Sequence, residues 1–250
     1  MAATQTKPQL LLQVLNVLKK KLPAATEPEK RPVMEELVYA ICREGVSSAE
    51  ADAAFAKLKT SFFDWNEVRV STVPEITDTL AGLPNSGTRA KRVIEFLQEL
   101  FEMTYAFNLD DLEKKGLKQA AKQLARYQAV SGSDYLVAWV VQRSLGGHAV
   151  PLDEPALRVL RRLGTIPATG DDLESIRGSV EHHIPKARGI EFTELLSSFA
   201  GSTCTETRPA CKTCPLLDDC PTGQEMVSTA KKPVKAVAKI EAKPQPKKSR

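Results

Sequence analysis

The sequence predicts an all-α protein. Three observations carry this. Long stretches are rich in Leu, Ala, Glu, Lys and Arg, all good helix formers. Apolar residues recur at spacings of three and four. No run alternates apolar and polar residues over a convincing length, as a half-buried strand would.

The elements follow in order. Gln9–Lys21 places Leu10, Leu11, Val14, Leu15 and Leu18 on one helical face, and Pro23, Pro28 and Pro32 then break the pattern. Met34–Arg43 resumes it. Ser48–Leu58 starts at a capping serine with Glu50 close behind. Val73–Leu80 and Ser86–Glu102 are helical and meet through Gly82-Leu83-Pro84-Asn85. Asp110–Lys115 is a short helical turn, and Leu117–Tyr127 a helix. Ala129–Asp134 is a Ser/Gly hairpin leading into the strongly apolar helix Tyr135–Ser144. Glu154–Leu163 and Asp171–His183 are amphipathic helices, and Gly189–Ala200 is the last before the cysteines.

The 250 residues suffice for one large or two small domains with a real core. The net charge of +4 is unevenly placed: residues 225–250 hold eight basic and two acidic residues, leaving the rest net acidic. A Lys/Pro/Ala tail of this kind buries little apolar surface, so 225–250 is expected to be a disordered basic tail suited to a polyanion. No stretch is long and apolar enough to span a membrane, and Met1–Leu10 lacks the plan of a signal peptide, so a cytoplasmic location is expected.

Four of five cysteines, Cys204, Cys211, Cys214 and Cys220, read C-x6-C-x2-C-x5-C. Such crowding suits metal ligation in a reducing compartment better than a disulfide framework. Four thiolates serve either zinc or a [4Fe–4S] cluster. Structural zinc sites usually present two tight Cys pairs, whereas here only Cys211 and Cys214 are tightly spaced. Cys42 stands apart, as a small buried side chain.

The cysteine spacing, with Arg208-Pro209 before the second cysteine and Cys214-Pro215-Leu216 after the third, resembles the cluster loop of the endonuclease III family of DNA glycosylases. Further matches extend the resemblance over most of residues 9–221. Gly82-Leu83-Pro84-Asn85-Ser86 is similar to a family turn. Asp153-Glu154-Pro155-Ala156-Leu157-Arg158-Val159 is similar to the segment at the family's catalytic Asp, and His182-His183 fits the spacing onward to Cys204. Ala129-Val130-Ser131-Gly132-Ser133-Asp134-Tyr135 stands at the family's helix–hairpin–helix.

The resemblance implies two helical domains. One is a six-helix domain with the hairpin, residues 38–146. The other is an iron–sulfur cluster domain made of the N-terminal helix, residues 1–37, and residues 147–224. It implies a structural [4Fe–4S] cluster on Cys204, Cys211, Cys214 and Cys220. It implies DNA contacts from Ser131, Gly132 and Ser133 of the hairpin, and from Arg208 and Lys212 of the cluster loop. The family's catalytic Lys and Asp are eighteen residues apart, which puts Tyr135 at the Lys position and Asp153 at the Asp position. Without the Lys there is no Schiff-base nucleophile. Tyr135 resembles the choice of the mismatch-thymine branch, which is monofunctional.

The activity implied is hydrolysis of the N-glycosidic bond of a damaged or mismatched base in double-stranded DNA, by a monomer without lyase activity. The hairpin keeps a single, shifted glycine, and Asp134 stands where a phosphate would approach. Cys42-Arg43 replaces an Ala-Gln pair that probes the gap left by an extruded base. A non-catalytic iron–sulfur DNA-binding protein of the same fold is therefore the alternative, and a zinc-stabilised helical module a third.

Overall fold

The structure, a computed structural model, describes residues 6–23, 29–168 and 172–229. Among them are twelve α-helices and no strand. The helices are α1 (Lys7–Lys21), α2 (Val33–Arg43), α3 (Ser48–Ser61), α4 (Trp65–Val70), α5 (Val73–Thr79), α6 (Ser86–Thr104), α7 (Leu117–Leu124), α8 (Asp134–Arg143), α9 (Glu154–Arg162), α10 (Leu173–His183), α11 (Gly189–Ser202) and α12 (Pro221–Thr229).

Local chemistry sets many of the boundaries. Ser47 and Glu50 form a reciprocal capping box that opens α3, and Thr72 with Glu75 does the same for α5. The carboxylates of Asp64, Asp153 and Asp172 cap α4, α9 and α10. α6 starts after Asn85, whose φ of 54° is left-handed, a region that Asn tolerates better than most residues.

Two apolar clusters form the main core. The first is built from α2 to α8 and includes Leu37, Phe96, Leu100, Leu124 and Trp139. The second joins Leu11, Val14, Leu15 and Leu18 of α1 to α9, α10 and α11, and takes in Leu216 and Cys220 of the cysteine segment. The N-terminal helix thus packs beside the C-terminal part of the chain. Gln13 Nε2 donates to Asp219 Oδ2 at 2.7 Å, and Lys19 pairs with Glu191 at 2.6 Å. Between the two clusters, Gln142 of α8 donates to Thr193 of α11 at 3.2 Å.

The structure departs from the sequence pattern in three places. α4 has no counterpart in that pattern: six residues are too few for a periodic signal, and the Asp64 cap with Val68 packed inward holds the helix. α7 ends at Leu124, and 125–133 turn instead. The basic tail does not begin at 225, because α12 runs through that boundary to Thr229. Gly223 packs on Cys220, and Met226 Sδ lies 3.8 Å from Cys211 Sγ, so these residues have tertiary partners. The rest of the tail, 230–250, lies outside the described residues, as does Asp171.

Candidate catalytic groove and cysteine site

Asp153 is only 7% exposed, although it begins a helix. Its Oδ1 accepts from Ala156 N at 2.9 Å, the ordinary capping bond, and its Oδ2 accepts from Gly45 N at 3.0 Å. Burial pushes its carboxyl above the usual range, while these two amides and nearby Arg43 pull it back. Tyr135 opens the first turn of α8 and is buried against Trp139, ring centroids 5.6 Å apart. Burial holds its phenol well above its ordinary value, so the hydroxyl stays protonated at neutral pH.

The structure brings these two residues and the hairpin to one cavity of about 440 Å³, lined by Ser131, Gly132, Ser133, Asp134, Tyr135 and Asp153 among others. Gly132 sits at φ 82°, which only glycine adopts without strain, and Ser131 and Gly132 are exposed at the tip. Ser133 Oγ accepts from Leu136 N at 3.4 Å, capping α8, and donates to Glu44 at 3.2 Å. Asp134 is not a bare anion: Arg177 of α10 holds it at 2.8 Å and also holds Glu181. The adverse charge at the hairpin is thus locally compensated.

A second cavity of about 650 Å³ shares Asp153 with the first and is lined by Arg43, Gly45, Arg158, Glu194 and Ser197. A third, about 750 Å³, shares Ser48 and Glu194 with the second and is lined by Tyr39, Phe55, Trp139 and Arg143. The first two make a groove between the two core clusters, and the third, apart from Glu194, is lined by α2, α3, α8 and the segment before α2. Arg43 and Cys42 do not reach outward as a probing pair would. Cys42 is fully buried, which pushes its thiol up to about 12, and Arg43 is 2% exposed. The last turn of α2 points inward here. Arg89 of α6 binds the carbonyls of Ile41, Cys42 and Glu44 that the helix end leaves without partners.

Four contributors carry no signal in the sequence pattern: Gly45, Glu44, Arg92 and Arg177. Arg92 binds both Glu44 and Ala129 O, tying the α2–α3 turn to the hairpin. The spacing of Arg177 and Glu181 signals a helix-surface pair, but nothing local points to Asp134, 43 residues away.

Cys204, Cys211, Cys214 and Cys220 line one pocket with an apolar wall of Val159, Leu163, Phe199 and Leu216. N–H donors face two of the sulfurs: Arg162 to Cys204 at 3.4 Å, and Gly223 N to Cys220 at 3.3 Å. A Cβ on Gly223, in the first turn of α12, would come within 3.3 Å of Cys220 Sγ, so a larger residue there would press on the sulfur. Among the described residues no group of three or more His, Cys, Asp or Glu stands close enough to hold a single metal ion. Arg208 and Lys212 are exposed, with no ion pair among the described residues. His182 and His183 pack ring to ring at 5.1 Å, away from the groove.

No family model matches this sequence, and no curated protein matches it either. Solved structures do. A non-covalent endonuclease III–DNA complex aligns with a TM-score of 0.70 at 18% identity, over 90% of this chain and all of that one. A trapped endonuclease III–DNA covalent intermediate aligns at 0.68 and 19% identity, with the same coverage. A thermostable thymine-DNA glycosylase aligns at 0.64 and 16% identity, over 88% of this chain and 97% of that one. The protein therefore has the all-α fold of endonuclease III and the other helix–hairpin–helix DNA glycosylases.

Proposed function

We propose that this protein is a monofunctional DNA N-glycosylase of base-excision repair, acting on a damaged or mismatched base in double-stranded DNA. The observation that carries the reading is the placement of Asp153. A buried carboxylate fixed by two amides opens into a groove that begins at the hairpin. A base must leave the stack to be attacked, at a cost of a few kcal/mol that is least for damaged or mispaired bases. As the base departs with the bonding electron pair, C1′ of the sugar gains oxocarbenium character. The Asp153 carboxylate stabilises that charge and orients a water. The water oxygen bonds to C1′, one of its protons goes to solvent or the leaving base, and an abasic sugar remains.

Tyr135 offers a protonated phenol and no amine, and among the described residues no lysine lines the two cavities that contain Asp153, Lys30 and Lys59 lining the third instead. Both facts support hydrolysis without a covalent imine and without strand cleavage. On this reading Ser131, Gly132 and Ser133 approach the backbone at the hairpin, and Arg208 and Lys212 supply charge from the cysteine loop.

Cys204, Cys211, Cys214 and Cys220 would hold a [4Fe–4S] cluster with a structural role. Two features support this. All four thiols line one pocket with an apolar wall, and only Cys211 and Cys214 are tightly spaced, where a structural zinc site usually presents two tight pairs.

The test is a panel of duplexes carrying different lesions and mismatches, each scored with and without alkali and with borohydride. Base release on at least one duplex, strand breaks only after alkali and no trapped adduct are expected. Trapping would mean that an amine acts as nucleophile, against this assignment. DNA binding with no release from any duplex would leave the non-catalytic protein as the reading.

A further inference from the structure

Cys204 and Cys220 each have an N–H donor facing their sulfur, and Cys211 does not. Among the described residues the Cys211 sulfur meets Met226 instead, with Sδ 3.8 Å from Sγ. Cys211 is only half-buried. Met226 belongs to α12, and that helix is anchored over the cysteine segment. Gln224 Nε2 donates to Asp218 O at 2.7 Å and to Leu217 O at 3.3 Å, and Gly223 N donates to Cys220 Sγ at 3.3 Å. The face of α12 that carries Gly223 and Met226 lines the cysteine pocket, whose wall includes Val159, Leu163 and Leu216. Met226 is thus a wall of the pocket and, at 40% exposed, also a surface residue. Met103 is more exposed, at 59%, but lies on α6 among the helices of the first core cluster.

We infer that Met226 is an oxidation-sensitive cover over the Cys211 corner of the cysteine site. The inference rests on the reading of the four cysteines as cluster ligands given above. While reduced, the apolar thioether keeps water from the Cys211 sulfur. Its exposure leaves it open to a peroxide. Hydrogen peroxide transfers one oxygen atom to Sδ: the O–O bond breaks, an S–O bond forms, the sulfur gives up two electrons and the remainder of the peroxide leaves as water. The sulfoxide is polar, and its oxygen needs a hydrogen-bond donor that Val159, Leu163 and Leu216 do not offer. The oxidised side chain therefore turns to solvent and leaves the Cys211 sulfur bare. Solvent exposure and hydrogen bonds at the sulfurs are among the properties that set a cluster's potential, so uncovering this corner changes the site without changing its ligands.

Hydrogen peroxide added to the anaerobically purified protein tests the cover without relying on catalysis. Visible absorbance reports the cluster, and peptide mass spectrometry reports each methionine. Wild type should gain oxygen at Met226 before the absorbance falls. Met226→Leu keeps an apolar cover that peroxide does not oxidise, and it should bleach several-fold more slowly than wild type. Met226→Ala removes the cover and should bleach several-fold faster. Met103→Leu should match wild type. Circular dichroism verifies the fold of each variant. Bleaching of Met226→Leu at the wild-type rate, of Met226→Ala no faster than wild type, or ahead of Met226 oxidation would overturn the inference. Iron and sulfide analysis of the same preparation decides the cluster reading separately. In a protein that holds zinc, release of the metal to a chelating dye replaces absorbance in the same comparison. In a metal-free protein, alkylation of Cys211 by iodoacetamide replaces it. Met226→Ala should again react several-fold faster than wild type, and equal rates would overturn the cover, whereas the cluster reading stands or falls on the metal content alone.

Discussion

Gly45 N donates to Asp153 Oδ2 at 3.0 Å, joining the turn after α2 to the first turn of α9 across 108 residues of sequence. The carboxylate is thereby held by both parts of the molecule at once. One oxygen serves its own helix and the other serves the opposite wall of the groove. This double restraint keeps a buried charge oriented without a basic side chain hydrogen-bonded to it.

Asp153→Asn keeps the α9 cap but removes the charge, and it cannot satisfy Gly45 N with its amide nitrogen. Base release should fall by about 10²-fold or more, as for other losses of transition-state electrostatics. Binding to a duplex with an abasic site should be largely retained. A variant that excises as fast as wild type would reduce Asp153 to a helix cap.

Arg177 is expected to matter for DNA although it lies outside the motif. Arg177→Ala leaves Asp134 uncompensated at the hairpin, and binding should weaken most at low salt. Adding Asp134→Asn should restore it. Equal affinity of Arg177→Ala and wild type in a titration at low ionic strength would show that the pair has no bearing on phosphate binding.

Glu36 is buried beneath the third cavity, where Trp139 Nε1 donates to it at 2.6 Å. Burial raises its carboxyl despite Trp139 and Arg31. A carboxyl raised on folding adds stability while protonated and loses it as pH rises through the folded pKa. Glu36→Gln keeps an acceptor for Trp139 and removes the charge, so its Tm should exceed that of wild type at pH 7. The gap should shrink toward pH 4, near the unfolded carboxylate pKa of about 4.3. A variant melting below wild type at pH 7 would mean that the weak Arg31 pairing at 3.8 Å outweighs desolvation.

Removing residues 230–250 while keeping α12 should weaken DNA binding and flatten its salt dependence. Each phosphate that the shortened chain no longer neutralises changes the log–log slope by about 0.9. Identical slopes for the two chains would dismiss the tail as a DNA-binding arm. Cutting earlier would confound the comparison, because Met226 lies against Cys211.

Anaerobically purified protein should hold about four irons and four sulfides per chain. Stoichiometric zinc without sulfide would reject the cluster. Cys211→Ala should speed hydrogen exchange in α1 as well as near the cysteines, since α1 shares its core with Leu216 and Cys220. Unchanged protection in α1 would uncouple the two ends.

By itself the sequence determined the helical class, most helix positions and the cysteine set, while the pairing of Tyr135 with Asp153 is what the family resemblance implied. The first three are written in local spacing: apolar residues three and four apart, caps at helix starts, and four thiols within seventeen residues. Only the tertiary structure decided what surrounds them. Arg43 reads as the polar end of an amphipathic helix, yet its helix end is turned inward, where Glu194 and Ser197, over 150 residues away, receive it. Asp134 reads as an anion hostile to phosphate until α10 brings Arg177 alongside. Gly45 carries no signal at all, because its contribution is one backbone amide. A hydrogen bond or ion pair between distant segments depends on how two helices pack, and that packing is set by the whole core.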